Sequence, residues 1–160
     1  MKFSGTTDFV YKEDYIMAEY SNNALQTVVA GGNALFTNEP SPCRRGYIIH
    51  RDDSGIFTVR GIVNNPCAGY AKYVVDVGGN IAISTGGTPG EISMALAIDG
   101  EPIPTSIMTV TPAAVGEFFN IHSSIEIAVP SGCCYVVALE NVTSQSIDVQ
   151  NLNIRFTRVA

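Results

Sequence analysis

Charge is scarce in this chain. Nine lysines and arginines and fifteen aspartates and glutamates make up 15% of its 160 residues, against roughly 25% in ordinary soluble domains. The basic side is the poorer, and the net charge is −6. That argues against the basic footprint a nucleic-acid binder needs and against attraction to an anionic membrane surface. Long apolar runs are missing too. None approaches the ~18 residues of a membrane-spanning helix. The opening MKFSGTTDFVYKEDYIM has neither the continuous apolar stretch nor the cleavage site of a secretion signal, so synthesis in the cytoplasm is expected.

Reactive groups are equally sparse. His50 and His122 are the only histidines. With Cys43 and Cys67 they lack the short C-x-x-C or H-x-x-x-H pairs that pre-organise zinc. No G-x-S-x-G elbow occurs, so a Ser-His-Asp site would need His50, Asp52 or Asp53 and a serine to be brought together by folding alone. Asp52-Asp53-Ser54 lacks EF-hand spacing and reads as an Asx turn. The glycine-rich stretch 85–90 is followed by no lysine and no helix, which disfavours a phosphate cradle. No catalytic residue, metal or cofactor is expected.

What is present is apolar: 46% of the residues. A chain of this length forms one domain with one core. With so little charge it must either bury more than a monomer usually does or expose apolar surface, and oligomerisation is the simplest resolution. The four cysteines, Cys43, Cys67, Cys133 and Cys134, are expected as free thiols in a chain without a secretion signal. Cys133 and Cys134 are strand neighbours that point to opposite faces, so they do not suit a bond to each other. Asn141-Val142-Thr143 fits a glycosylation sequon but is discounted for want of a secretion route.

Residues 1–20 differ from the rest. Phe3, Phe9, Tyr11, Tyr15 and Tyr20 are five of the fourteen phenylalanines and tyrosines. Asp8, Glu13, Asp14 and Glu19 make the segment acidic, and neither a period of 2 nor of 3.6 runs through it. It reads as an arm that anchors on a partner through Phe9, Tyr11, Tyr15 and Tyr20, since aromatics anchor interfaces at low entropy cost. The alternative is a segment folded onto its own domain. Arg44-Arg45 with Arg51 and Arg60 is the one basic cluster, either a seat for an acidic surface or solvated charge.

From residue 22 short strands follow one another, each closed by Gly, Pro or Asn: 24–30, 34–37, 46–50, 56–63, 70–77, 81–84, 92–98, 103–110, 117–121, 124–129, 133–141 and 146–159. The stretch 38–42, with two prolines, is unfit for a central strand. Gly78-Gly79-Asn80 reads as a hairpin turn. No segment suggests a helix, so the class is all-β, a sandwich or jelly roll. Two strands say more. The strand 133–139 is apolar on both faces and calls for a second cover, a neighbouring subunit or a loop. The last strand slips phase: Ile147 and Val149 are odd, Leu152, Ile154 and Phe156 even. A β-bulge at Gln150-Asn151 would keep both sets on one face.

These strands resemble a family. Gly55-Ile56-Phe57-Thr58-Val59 is similar to the G-x-Y/F-x-F/V strand of the tumour necrosis factor-like superfamily, which includes complement globular heads. Residues 92–100 resemble its strand ending in an Asn/Asp-Gly turn. IEIAVPSGCCYVVAL, within 124–139, resembles its paired strands joined across a P-x-G turn, and 146–159 its final, inner-sheet strand. The same pattern occurs in spore-surface collagen-like heads and small phage virion proteins. The likeness covers about residues 22–160. Gly132-Cys133 departs from it, where the family often has Gly-Asp.

The resemblance implies a two-sheet jelly roll packed as a homotrimer around its inner sheet, with Phe57, Tyr135 and Phe156 on the matching inner-sheet strands as core or threefold contacts, and Val137 with them at the trimer interface. The organisation expected is an anchoring arm at 1–20 and a jelly-roll trimerisation domain at 21–160. The expected role is a structural virion protein: a capsid decoration or head-fibre protein, assembled in the host cytoplasm. Its partners would be the major capsid protein or another virion protein, bound through residues 1–20, and a host-surface glycan. The alternative is a bacterial surface, spore-coat or carbohydrate-binding head.

Overall fold

A computed structural model describes residues 16–43 and 46–160. The strands are β1 (Met17–Asn22), β2 (Gln26–Val28), β3 (Asn38–Ser41), β4 (Ile48–His50), β5 (Ile56–Arg60), β6 (Tyr70–Ile83), β7 (Ile92–Ile98), β8 (Glu101–Pro102), β9 (Met108–Val110), β10 (Phe119–Pro130), β11 (Cys134–Asn141) and β12 (Ile147–Arg158). They form two antiparallel sheets. A long sheet runs β10-β6-β12-β1-β3, with β2 beside β12. A short sheet runs β4-β5-β11-β7-β8, with β9 beside β7. From β5 onward the chain repeatedly crosses from one sheet to the other, as a jelly roll does.

Period-2 patterning decides which side chains enter. In β5 Phe57 and Val59 are buried while Ile56 and Arg60 face out, and in β1 Ala18, Tyr20 and Asn22 alternate with half-buried neighbours. The inner faces meet in one core with an aromatic centre. The Phe57 ring lies 4.5 Å from His50, 4.9 Å from Tyr20, 5.3 Å from Phe36 and 5.2 Å from Phe156. Tilted and offset pairs of this kind add ~0.5–1.5 kcal/mol each beyond burial.

The expected bulge in the last strand is there. Between Gln150 and Asn153, β12 advances by three residues while β6 advances by two, Asn80 to Gly78, and Asn151 takes φ 54°. Ile147, Val149, Leu152, Ile154 and Phe156 consequently all face the core.

Other expectations are corrected. Gly78-Gly79-Asn80 is no hairpin; β6 runs straight through it. Neither glycine takes a positive φ. A Cβ on Gly79 would stand 2.4 Å from a Leu152 methyl and 3.2 Å from its Cα, so glycine lets the bulged strand approach. Residues 117–129 similarly give one strand, β10, rather than two. Of 24–30 only β2 is paired, and 34–37 contributes the single bridge Phe36–Ser54. The stretch around Pro40 does form a strand, β3, at the sheet edge where proline is tolerated. Part of 103–110 is a one-turn 3-10 helix, Pro104–Ser106.

The P-x-G turn also differs from the hairpin the resemblance implied. Cys133 N donates to Pro130 O at 3.0 Å and Gly132 takes φ 77°, but β10 and β11 lie in different sheets. The turn is a crossover. Gly61 packs against it so closely that a Cβ would land 2.0 Å from Pro130 O.

Candidate functional site

The two ends of the described chain meet at one pole of the sandwich. At the proximal pole Arg158 N donates to Ile16 O at 2.9 Å and Lys72 N to Ala160 O at 3.0 Å. The described chain therefore starts and stops beside the first residues of β6. The distal pole lies at the other end of β6, ~40 Å of strand away at the usual rise per residue.

Three polar side chains build the distal pole. Asn141 is fully buried; its amide donates to Val28 O at 3.0 Å, Val29 O at 3.3 Å and Gln145 O at 2.9 Å, and its oxygen accepts from Thr143 N. The sequon asparagine is thus a structural clamp with no free amide. Gln145 holds Thr88 as a strand neighbour would, accepting from its N–H and donating to its carbonyl, both at 2.9 Å. Asp148 accepts from the Ser84 hydroxyl at 2.6 Å and the Thr27 hydroxyl at 2.7 Å. Beside Gln145 opens a depression of about 350 Å³, lined by Ser84–Thr88, Gln145 and Ser146. No charged side chain is among those residues.

Apolar side chains flank it. Row by row across the long sheet, Phe119 on β10 stands opposite Ile81, Ile81 opposite Val149, and Val149 opposite Gln26 on β2. Phe118, Phe119 and Val115 are exposed at one end of that row, Leu25 and Val29 at the other, the last two at 59% and 61%. Sequence reasoning missed these five. The available signal was Phe118-Phe119: two adjacent aromatics in a strand cannot both face one core.

The residues expected to bind partners fall differently. Phe9, Tyr11 and Tyr15 lie outside the described residues. Tyr20 does not extend from an arm: it is 2% exposed inside β1, which pairs with β12 and β3. The sandwich therefore reaches back past the boundary expected at residue 20. Burial holds the Tyr20 hydroxyl up at about 12. Phe57, Val137 and Phe156 are at most 1% exposed within the single chain, so they are core and have no surface to offer a neighbour. They do not share a sheet either, since Phe57 and Val137 are on the short sheet and Phe156 on the long one. Tyr135 is half-buried against the core. The other face of β11 presents Val136 and Cys134 outward.

The weighed reactive groups are dispersed. His50 has a fully buried ring. Its Nε2 donates to Ser54 O at 3.1 Å and its Nδ1 lies 3.3 Å from Glu39 Oε1, linking edge strands β3 and β4 across the two sheets. Its partners are thus not Asp52 or Asp53, and Asp53 sits in a turn at φ 60°. His122 is opposite Gly78 on the far face of the long sheet. Among the described residues no three His, Cys, Asp or Glu side chains converge on a metal position. Arg51 borders a shallow hollow of about 380 Å³ with Ile49, Ser54, Ile56 and Thr58. Arg60 donates to Gly46 O, and Arg44 and Arg45 lie outside the described residues.

No protein-family model and no curated protein sequence matches the chain. Solved structures do. The Eiger tumour necrosis factor of S. frugiperda superposes with a TM-score of 0.64 at 14% identity, over 91% of this chain and 93% of that one. The globular domain of zebrafish complement 1qA gives 0.55 at 11%, over 90% and 95%. Murine APRIL at pH 8.0 gives 0.61 at 6%, over 91% and 99%. The chain has the jelly-roll fold of tumour necrosis factors and complement globular heads, as the strand order and turns had suggested.

Proposed function

We propose that this protein is a homotrimeric structural component of a virus particle. It would be a capsid decoration or head-fibre protein, held on the shell by its aromatic, acidic N-terminal residues. The observation that carries the trimer is the row Phe119–Ile81–Val149–Gln26. Apolar patches lie at both of its ends, on opposite edges of one sheet. A patch on one edge that meets a different patch on the next copy makes a head-to-tail contact, and such contacts form a ring when the rotation between copies closes. The shared fold of the tumour necrosis factor and complement heads supports the same reading.

Polarity along the sandwich supports the anchor. The described chain begins at the proximal pole, where Ile16 O accepts from Arg158 N. The polar depression at Ser84–Thr88 lies at the far end. Anchoring below leaves hydroxyls and amides above, the groups that recognise a sugar, which supports contact with a host-surface glycan. A bacterial or spore-surface head would use the same polarity and is the second reading. We infer that the protein acts by binding and not by catalysis.

The decisive measurements are native mass and particle composition. Light scattering should return a trimer. Deleting residues 2–15, upstream of β1, should leave a folded trimer that no longer joins the purified particle. A monomer, or a deleted form that still incorporates, would overturn the proposal. Absence from virions with presence on cells would select the second reading.

A further inference from the structure

Cysteine is among the most buried residue types when unbonded. Here Cys67, Cys133 and Cys134 are exposed, and only Cys43 is half-buried. The two adjacent thiols share a hollow. It measures about 290 Å³ and is lined by Arg60, Gly61, Ile62, Gly132, Cys133 and Cys134. Backbone bonds hold its sides together: Gly61 N donates to Cys133 O at 2.8 Å, and Gly132 N to Gly61 O at 3.0 Å. Arg60 is the only charged residue among those lining it.

The two thiols are not equivalent. Cys133 closes the turn from β10 to β11, and its Sγ donates to Cys134 O at 3.6 Å. Cys134 begins β11 and stands directly opposite Arg60 on β5. Residues so paired share one face of the sheet, with Cβ atoms ~4.5–5.5 Å apart. The Arg60 guanidinium donates to Gly46 O at 3.1 Å. Among the described residues no carboxylate pairs with it, so its other donors stay open to an incoming anion. Asp99 also reaches β11, but its carboxylate is held by Val136 N at 2.9 Å. Cys67 supplies a contrast within the same chain. It is equally exposed, in a turn where its N–H donates to Asn65 Oδ1 at 2.9 Å. It does not line the hollow, and no charged residue occurs between Asn64 and Ala71.

We infer that Cys134 is a modification site for a small anionic disulfide, taken up as a mixed disulfide whose carboxylates are drawn by Arg60. Oxidised glutathione is the representative of that class. The Cys134 thiolate attacks one glutathione sulfur, the glutathione S–S bond breaks, and a bond forms between Cys134 and that sulfur. The other half leaves as a thiolate and takes up the proton that Cys134 gave away. The Cys134 sulfur is oxidised and the departing glutathione sulfur is reduced. Neighbouring strand residues point to opposite faces, so Cys133 is poorly placed to expel the adduct by bonding to Cys134. This inference is independent of the role in a virion.

The test is brief exposure of the reduced full chain to oxidised glutathione, then alkylation and peptide mass mapping, with Cys67 as the internal reference. Cys134 should take up glutathione roughly 3–5-fold faster than Cys67, the size of an exposed charge interaction. Cystamine, a disulfide with ammonium groups and no carboxylates, should react no faster at Cys134 than at Cys67. Arg60→Lys should keep the preference for glutathione and Arg60→Met should lose it. Raised salt should erase it in the unaltered chain. Labelling of Cys67 by oxidised glutathione as fast as that of Cys134 would overturn the inference. So would a preference that cystamine shares, one that persists in Arg60→Met or in high salt, or a Cys133–Cys134 bond in place of the adduct.

Discussion

The two sheets share a core yet are built on different terms. The long sheet has strands of fourteen and twelve residues in β6, β10 and β12; the longest strand of the short sheet, β11, has eight. Their outer faces differ more. Across the long sheet Ser124, Asp76, Arg155 and Glu19 stand in one row, with Arg155 Nε 4.0 Å from Asp76 Oδ2. Across the short sheet the rows are Ile49, Thr58, Val136 and Ile56, Ala138, Ala97, and Ile49 and Ile56 are nearly half exposed. The low overall charge is therefore not spread evenly. The long sheet's outer face is made for water. The apolar surplus lies on the short sheet's outer face and at the distal edges.

The core that joins the sheets should show the largest effect. Phe57→Ala leaves Tyr20, His50, Phe36 and Phe156 around a void, and a loss of ~3–5 kcal/mol is expected in denaturant unfolding. A near-neutral result would mean that the two sheets do not depend on this contact.

Raised pH attacks the same junction from the long sheet. Tyr20 reaches the short sheet through Phe57 and His50, and Tyr73 donates to Arg60 O at 2.7 Å. Burial raises both hydroxyls to about 12 from the ordinary tyrosine value of 10; for Tyr73 the nearby Arg158 pulls the other way, more weakly. The folded state therefore holds these protons more tightly than the unfolded one. Their contribution is complete below pH 10 and is lost as pH rises toward 12. Urea midpoints measured across that range should fall, and the fall should flatten in the Tyr20→Phe, Tyr73→Phe double variant.

The outer faces should give the smallest changes, and they sharpen the comparison. Arg155→Ala and Ile56→Glu should each alter stability by no more than ~0.5 kcal/mol, as surface substitutions do. Neither should change the oligomeric state if the copies meet at the distal edges, whereas Phe118→Ser with Phe119→Ser should release monomers in light scattering. Monomers from Ile56→Glu instead would move the interface to the short sheet.

Much of this was legible in the residues alone, for a local reason. Alternation assigns a side chain to a face within one strand, so Phe57 is buried as its neighbours indicate. The odd-to-even slip of β12 announces its bulge, because one added residue is the only way to keep Val149 and Leu152 on the same side. Asp99-Gly100 and Pro130-Ser131-Gly132 mark turns for the same kind of reason. Alternation does not say which strand lies alongside, and there the tertiary structure decided. It carried β6 through two glycines that read as a turn, because β12 needed the space over Gly79. It sent β11 to the opposite sheet from β10. It drew Tyr20 out of a supposed arm and into β1. Packing Phe57, Tyr20 and Phe156 against one another made them core and left none of them for a partner. Face is a property of consecutive residues; sheet membership and final burial depend on partners far away in the chain, and only the closed sandwich supplies those.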